Sequence, residues 1–209
     1  MGRSEGKRPA CSTAPDEIMV EDPEALMVAL TSGDDDRAEA SVIQLAAHSE
    51  ALPAITSLLH SPELDVRWWA VRALAQMESP PKDLLVRALD DGSEEVRQCA
   101  ILALAHHPTE AAIPGLIRLV TDPDAVTVNL AATALIAIGT PTVPALLDLI
   151  ENASHVVRIE IVRALASIGD PRAIPALMNA LEQDSPAMHF WAEQGLDRLG
   201  LGMIYMKSK

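Results

Sequence analysis

The sequence predicts an all-α fold, a right-handed α-solenoid of about six two-helix repeats. The stretch at 65–77, DVRWWAVRALAQM, places its apolar residues at the 3.6-residue period of a helix. Similar stretches recur along the chain, with their first stripe positions 30 or 31 residues apart. These positions are Asp36, Val66, Val96, Thr127, Val157 and Met188. Self-similarity at such a period is typical of proteins built by stacking one supersecondary unit.

A shorter helix is predicted before each copy of this stretch, so every unit is a helical hairpin. Prolines recur in the first turn of these shorter helices, where a missing N–H does no harm. They are Pro53, Pro114, Pro144 and Pro175. Asp22 before Pro23 predicts the start of the first helix, and Asp65 is a predicted N-cap. We predict a disordered N-terminal arm at 1–21, the solenoid at 22–200 and a C-terminal tail at 201–209.

The composition disfavours several classes of function. The net charge is −14, with 16 Lys and Arg against 30 Asp and Glu, which disfavours binding to nucleic acid. No apolar run reaches the length needed to span a membrane, so we expect a cytoplasmic protein. Cys11 and Cys99 are the two cysteines, and neither a structural disulfide nor a thiolate metal site is expected.

Two segments carry a resemblance to a known family. VRWWAVRAL at 66–74 and, after Val157, Arg158, Ala164 and Leu165, IGDPRAIPAL at 168–177 resemble the HEAT repeat. They are most similar to the short HEAT-like repeats named after phycobilisome lyases. The resemblance covers residues 24 to 200 and implies a helical solenoid. It also implies, as an alternative, a role as a phycobilin lyase subunit or in phycobilisome turnover.

The second helices of such a solenoid line its concave face, where partners bind. At 100° per residue, positions two, five and six after the stripe residue face away from the first helix. Several of these positions hold apolar residues, and an exposed apolar patch indicates an interaction site. The predicted groove residues are Trp68, Val71, Arg72, Gln98, Ile101, Leu102, Asn129, Thr133, Ile159, Val162, Arg163 and Phe190. The alternative is that strong curvature buries the row at position five.

Other recurrent residues favour structural roles. Trp69 is expected in the core between repeats, and Cys99 as a small core residue. Arginines one residue after the stripe predict a ladder that pairs with carboxylates such as Asp65 and Glu95. These arginines are Arg37, Arg67, Arg97 and Arg158.

Motifs for catalysis are lacking in the sequence. No His is followed by Glu, as in the HEAT-repeat enzymes that hold two irons, and neither a Walker loop nor a nucleophile elbow is present. The sequence therefore predicts a non-enzymatic scaffold without cofactor or metal, binding an apolar or basic protein segment in its groove. The alternative is a phycobilin lyase subunit that handles an open-chain tetrapyrrole, with Arg pairing a propionate. The oligomeric state is left open.

Overall fold

The computed structural model describes residues 22–183 and 185–201. These residues form twelve α-helices and no strands, which confirms the all-α prediction. The predicted arm at 1–21 and residues 202–209 of the predicted tail lie outside the described residues.

Six helical hairpins follow one another along the chain. The first helices are α1 Pro23–Leu30, α3 Leu52–Leu58, α5 Lys82–Ala88, α7 Ile113–Leu119, α9 Val143–Ile150 and α11 Ile174–Leu181. The second helices are α2 Asp35–Leu45, α4 Leu64–Gln76, α6 Glu94–His106, α8 Ala125–Ile138, α10 His155–Ile168 and α12 Pro186–Arg198. Short 3₁₀ turns lead into four first helices, at Ser49–Ala51, Glu110–Ala112, Thr140–Thr142 and Pro171–Ala173.

The helix ends follow ordinary capping chemistry. Asp22 accepts a hydrogen bond from the Glu24 N–H at 3.3 Å, with Pro23 in the first turn, as predicted. The prediction that Asp65 caps α4 is wrong, because the helix begins one residue earlier and its N-cap is Glu63. Gly169 ends α10 at φ +69°, a left-handed conformation that glycine adopts without strain.

The N-caps give the repeat register. They are Asp34, Glu63, Ser93, Asp124, Ser154 and Ser185. The first two caps are 29 residues apart, whereas later caps are 30 or 31 apart. Arg37, not Asp36, is therefore equivalent to Val66, and the predicted alignment of the first repeat is one residue out of register. In this register Asp36 aligns with Asp65, and Glu39 aligns with Trp68.

The second helices form the inner layer of the array. Each packs along its length against the next second helix, whereas consecutive first helices contact each other little. The layer with the closer neighbours lies inside the curve, so the second helices line the concave face. Ala70, Ala100 and Ala131 are completely buried there, and such small side chains let the helices approach closely. One continuous core extends from Leu26 to Leu196.

No single helix among the described residues has the length and apolar character to cross a membrane. The segments Ala125–Ile138 and Thr140–Ile150 meet that test only when taken together, and they are bent by 118°.

Candidate functional site

The row at position five is buried inside the monomer. Val71 and Ile101 are 0% exposed and Val162 is 1% exposed. The prediction that these three residues line an open groove is wrong, and they are buried as the alternative expected. The reason is that neighbouring second helices pack so closely that this row points into the next helix.

The other predicted groove residues reach the surface. Leu102 is 48% exposed, and three further predicted residues are also exposed, namely Asn129, Thr133 and Phe190. Five are half-buried, namely Trp68, Arg72, Gln98, Ile159 and Arg163. Trp69 is buried, as predicted. The open face is therefore narrower than the sequence indicated, and it is divided between apolar and polar side chains.

A cleft of about 860 Å³ runs between α4 and α6 on this face. Its volume lies within the range of about 300–1,000 Å³ that small-molecule sites occupy. The lining residues are Trp68, Arg72, Ala75, Gln76, Met77, Glu78, Glu95, Gln98, Cys99, Leu102, Ala103, His106 and His107. Four predicted residues are thus brought together, namely Trp68, Arg72, Gln98 and Leu102.

The cleft combines an aromatic face with a cation. Trp68 contacts Trp69 edge-on, with ring centroids 4.8 Å apart, and the Arg72 guanidinium carbon lies 6.0 Å from the Trp68 ring centroid. Glu39 of α2 fixes Arg72 from the preceding repeat, with Nη2–Oε1 at 2.6 Å and Nε–Oε2 at 3.2 Å. These hydrogen bonds lower the pKa of Glu39 and raise the pKa of Arg72, so both groups stay ionised.

The far end of the cleft carries His106 and His107, which sequence reasoning missed. His107 Nε2 lies 3.0 Å from the carbonyl oxygen of Ala75. Because a carbonyl can only accept, Nε2 must carry the proton, and Nδ1 is the acceptor of the neutral ring. The signal in the sequence was the position of these residues at the end of a second helix, four and five residues after the predicted groove residue Leu102.

Cys99 lies in the wall of the cleft and is buried, as predicted. Burial raises the pKa of the Cys99 thiol to about 11. The thiol is therefore protonated at neutral pH, and it is a poor nucleophile because the thiolate is the reactive form.

Two of the predicted groove residues link neighbouring second helices. The Gln98 amide nitrogen lies 3.2 Å from Asp124 Oδ2 and 3.1 Å from Thr127 Oγ1, at the start of the next second helix. Arg163 donates to Glu160 at 2.7 Å and to the carbonyl oxygen of Asn129 at 3.3 Å. These side chains therefore hold the register of the repeats.

Two of the four arginines of the predicted ladder pair with carboxylates of the next repeat, and their partners differ from those predicted. Arg158 instead donates to the carbonyl oxygen of Ala153 at 2.9 Å, and Arg37 is one residue out of this row. Arg67 pairs with Asp91, and Arg97 lies 3.7 Å from Asp122. Asp65 and Glu95 are not these partners, because each guanidinium reaches the connector of the following repeat. At the next junction the two equivalent positions hold Val128, which is buried, and Asn152, which is exposed. Two ion-paired junctions are thus followed by one whose equivalent positions are uncharged.

The described residues contain no group of three or more His, Cys, Asp or Glu side chains placed to hold a metal ion.

The fold and the site can now be compared with known proteins. The family profile for HEAT repeats matches residues 23–92, 53–136, 81–155 and 128–197. The chain belongs to the HEAT-repeat family. The predicted fold is confirmed by this match and by the observed hairpins.

Curated relatives include several proteins named for bilins or phycobilisomes. The phycobilisome maturation protein of Synechococcus elongatus is 35% identical over 115 residues, which are 54% of this chain and 55% of that protein. Phycocyanobilin lyase subunit beta of Nostoc is 35% identical over 113 residues, 54% of this chain and 56% of that protein. The chain spans about half the length of the curated relatives it matches. The HEAT-repeat chain is therefore similar to lyase subunits, and the prediction of a non-enzymatic scaffold is wrong.

Solved structures share the fold. The complex of CpcE and CpcF of phycocyanin lyase from Nostoc matches with a TM-score of 0.53 and 20% identity, covering 94% of this chain and 82% of that chain. A designed armadillo repeat protein in complex with the peptide (KR)4 matches with a TM-score of 0.54 and 22% identity, covering 85% and 98%. These similarities support the stacked helical architecture.

Proposed function

We propose that this protein is a phycobilin-lyase subunit that handles an open-chain tetrapyrrole and the protein that carries it. The observation that carries the proposal is the similarity, at 35–37% identity, to relatives named phycobilisome maturation protein, phycocyanobilin lyase subunit beta and bilin biosynthesis protein RpcF. The cleft between α4 and α6 supports it, because its volume and the Trp68 ring suit a flat, conjugated molecule, and Arg72 lies in the same wall as a partner for a carboxylate.

The lining residues suit the separate parts of a bilin. The Trp68 ring and the Leu102 side chain offer apolar surface to the pyrrole rings. Arg72, with His106 when protonated, can donate to the propionate carboxylates. Each of these residues lies on α4 or α6, so the site is built on two packed helices and not on loops.

Arg72 can reach a ligand carboxylate at low cost. Its present partner is Glu39, and both side chains of that pair are partly exposed, so the pair contributes only about 0–1 kcal/mol. A propionate that replaces the Glu39 carboxylate would regain the same charge-assisted hydrogen bonds. Arg72 thus pairs with Glu39 in the free protein and with the propionate in the complex.

The reaction we assign joins a bilin to a cysteine of an acceptor protein. A thiol adds across a carbon–carbon double bond of the bilin, so a sulfur–carbon bond forms and the thiol proton ends on the neighbouring carbon. Cys99 is unsuited as the acceptor because its pKa of about 11 keeps the thiol protonated. His107 supplies a proton acceptor at Nδ1, which can take the proton from the incoming thiol.

The proposed reaction also requires at least one other protein. The relatives named subunit beta support the expectation of a partner subunit, and the acceptor of the bilin is itself a protein. The predicted groove residues outside the cleft remain candidates for these contacts. They are Asn129, Thr133, Ile159, Arg163 and Phe190.

The test is a titration of the purified protein with phycocyanobilin, followed by addition of apo-phycocyanin with and without a second lyase subunit. We expect a red or blue shift of the visible absorption band on binding. We also expect a coloured adduct on the acceptor that survives denaturation. If none of these combinations gives a spectral shift or an adduct, the proposal is contradicted.

A matched pair of variants tests the site. Arg72→Gln removes the cleft cation, and Arg87→Gln removes an exposed arginine of α5 that lies outside the cleft. We expect Arg72→Gln to weaken bilin binding by about tenfold, the equivalent of one charge-assisted hydrogen bond, whereas Arg87→Gln leaves it unchanged. Equal binding by the two variants would place the bilin elsewhere.

A further inference from the structure

One row of exposed side chains changes chemistry halfway along the array. The row consists of the residue two places after each N-cap, in the first turn of each second helix. Its members are Asp36, Asp65, Glu95, Val126, Val156 and Ala187. All six are exposed. The first three are carboxylates and the last three are apolar.

Helix electrostatics explains only half of this row. A carboxylate in the first turn is stabilised by the positive end of the helix dipole, which accounts for Asp65 and Glu95. The same position in α8 and α10 holds Val126, which is 56% exposed, and Val156, which is 60% exposed. A β-branched apolar residue there gains nothing from the dipole and is left in water.

The neighbouring row, one helical turn further on, is mixed in its middle, but its first member is a carboxylate and its last two members are apolar. Its members are Glu39, Trp68, Gln98, Asn129, Ile159 and Phe190. Side chains three residues apart on a helix lie side by side, so the two rows form one strip along the concave face. We call Asp36, Asp65 and Glu95 the acidic half of this strip, since Glu39 is already paired with Arg72, and we call Val126, Val156, Ile159 and Phe190 the apolar half.

A hollow of about 380 Å³ lies in the acidic half. It is lined by Asp35, Leu64, Asp65, Trp68, Trp69 and Glu95. Ser93 Oγ donates to Glu95 Oε2 at 2.5 Å, and this hydrogen bond lowers the pKa of Glu95, which keeps its charge. Indole rings beside carboxylates suit an organic cation, since the ring face and the carboxylate both attract it.

We propose that the strip docks a segment of a partner protein that is basic at one end and apolar at the other. A Lys or Arg side chain of the segment occupies the hollow between Asp65 and Glu95, and its apolar residues cover the apolar half. Charge complementarity selects this occupant, because the strip offers carboxylates at one end and uncharged apolar side chains at the other. The hollow shares Trp68 and Glu95 with the bilin cleft, so the variants that test this proposal are placed at strip positions outside the cleft.

The geometry limits the length of the segment. Packed helices lie about 8–10 Å apart, so two or three helix spacings from α6 to α10 or α12 span about 16–30 Å. An extended chain advances about 3.3 Å per residue, and about five to nine residues would therefore cover the distance from the hollow to the apolar half.

A synthetic fluorescent peptide is the probe. It carries Lys and Arg at one end and Leu and Phe at the other, and its controls are a shuffled peptide of the same composition and a peptide with Glu in place of Lys and Arg. We measure fluorescence anisotropy on adding the full chain. We expect the block peptide to bind at least about tenfold more tightly than either control, and more weakly as salt is raised.

Variants of the strip give the decisive comparison. Val156→Asp and Val126→Asp place a charge on the apolar half, and Val28→Asp makes the same change on α1, where Val28 is 66% exposed but outside the strip. We expect the two strip variants to weaken block-peptide binding by about tenfold and Val28→Asp to leave it unchanged. All three positions are exposed, and far-ultraviolet circular dichroism checks the folding of each variant.

The outcomes separate the two proposals. Equal binding of the block and shuffled peptides, or equal binding by the three variants, would overturn the docking proposal. The strip variants lie outside the cleft, so they leave the bilin titration unchanged. Loss of the bilin shift while peptide binding persists therefore counts against the proposed function alone.

Discussion

The carboxylate of Asp91 accepts two hydrogen bonds from the guanidinium of Arg67, which lies one repeat earlier. The distances are 2.8 Å from Nε to Oδ2 and 2.9 Å from Nη2 to Oδ1. The backbone carbonyl of the same aspartate accepts a hydrogen bond from Arg97 at 3.0 Å. Asp91 therefore connects the second helices of two repeats through one connector.

Asp91→Asn should destabilise the protein by about 1–2 kcal/mol, because the arginine keeps its charge in a mostly shielded place and loses a bidentate partner. Urea unfolding followed by circular dichroism measures the change. Asp83→Asn is the matched control, since Asp83 and Arg87 are exposed and 3.9 Å apart. A control variant that is destabilised as much as Asp91→Asn would contradict the structural role of the Arg67–Asp91 pair.

The contribution of Asp91 should also depend on pH. The hydrogen bond from Arg67 lowers the pKa of Asp91 below its ordinary value of 3.8. The pair therefore stabilises the fold fully above the unfolded pKa of about 4, and this stabilisation is lost as the pH falls through the lower folded pKa. The difference in unfolding free energy between the wild type and Asp91→Asn should shrink as the pH falls below about 4. A difference that stays constant down to acid pH would exclude this linkage.

Ile101 and Leu102 are neighbours in sequence with opposite environments. Ile101 is completely buried between second helices, whereas about half of Leu102 is exposed. We expect Ile101→Ala to cost about 2–5 kcal/mol and Leu102→Ala less than about 1 kcal/mol. Chemical denaturation of the two variants gives both values, and similar losses would mean that the second helices are less tightly packed than described.

Two glycines within helices should respond differently to an added methyl group. A Cβ at Gly195 would lie 2.8 Å from Ala166 Cβ and 2.9 Å from Ala166 Cα, which is backbone. A Cβ at Gly115 would lie 2.8 Å from Leu89 Cδ1, the end of a flexible side chain. We expect Gly195→Ala to lose about 1–3 kcal/mol through overpacking. Gly115→Ala should change the free energy of unfolding little. The higher helix propensity of alanine stabilises the fold by about 1 kcal/mol, which offsets the cost of moving the Leu89 side chain. Melting temperatures of the two variants test the ranking.

Cys99 should be nearly inert to thiol reagents in the native protein. Its pKa of about 11, against an ordinary 9.0, lowers the thiolate fraction by about 100-fold near neutral pH. Reaction with a chromogenic disulfide in the Cys11→Ser background isolates this thiol. We expect a rate at least about 100-fold lower in the native state than in denaturant. Rapid labelling of the folded protein would show that the wall of the cleft opens readily.

The repeat period and the hairpin order were predictable because each helix carries its own apolar stripe. Pro114 and Pro175, for example, lie in the first turns of α7 and α11 as the sequence indicates. The alignment of the first repeat failed because its N-cap, Asp34, lies 29 residues before Glu63, one residue fewer than the predicted spacing of 30.

The site was less predictable, because exposure depends on the distance between helices that are 30 residues apart. An apolar residue such as Val162 has the same sequence signature whether it faces a groove or the next helix. The partners of Arg67 and Arg72 could not be deduced either, since Asp91 and Glu39 belong to other repeats. Trp68 and Leu102 were correctly placed because helical geometry alone turns them away from the first helix.

The uncharged Val128 and Asn152 stand where earlier junctions have a guanidinium and a carboxylate. Guanidinium chloride is itself a salt and screens ion pairs, whereas urea is uncharged and leaves them largely intact. Both denaturants weaken apolar contacts. In guanidinium chloride, unfolding should therefore begin at the N-terminal junctions that contain Arg67–Asp91 and Arg97–Asp122. In urea it should begin at the junction between the fourth and fifth repeats.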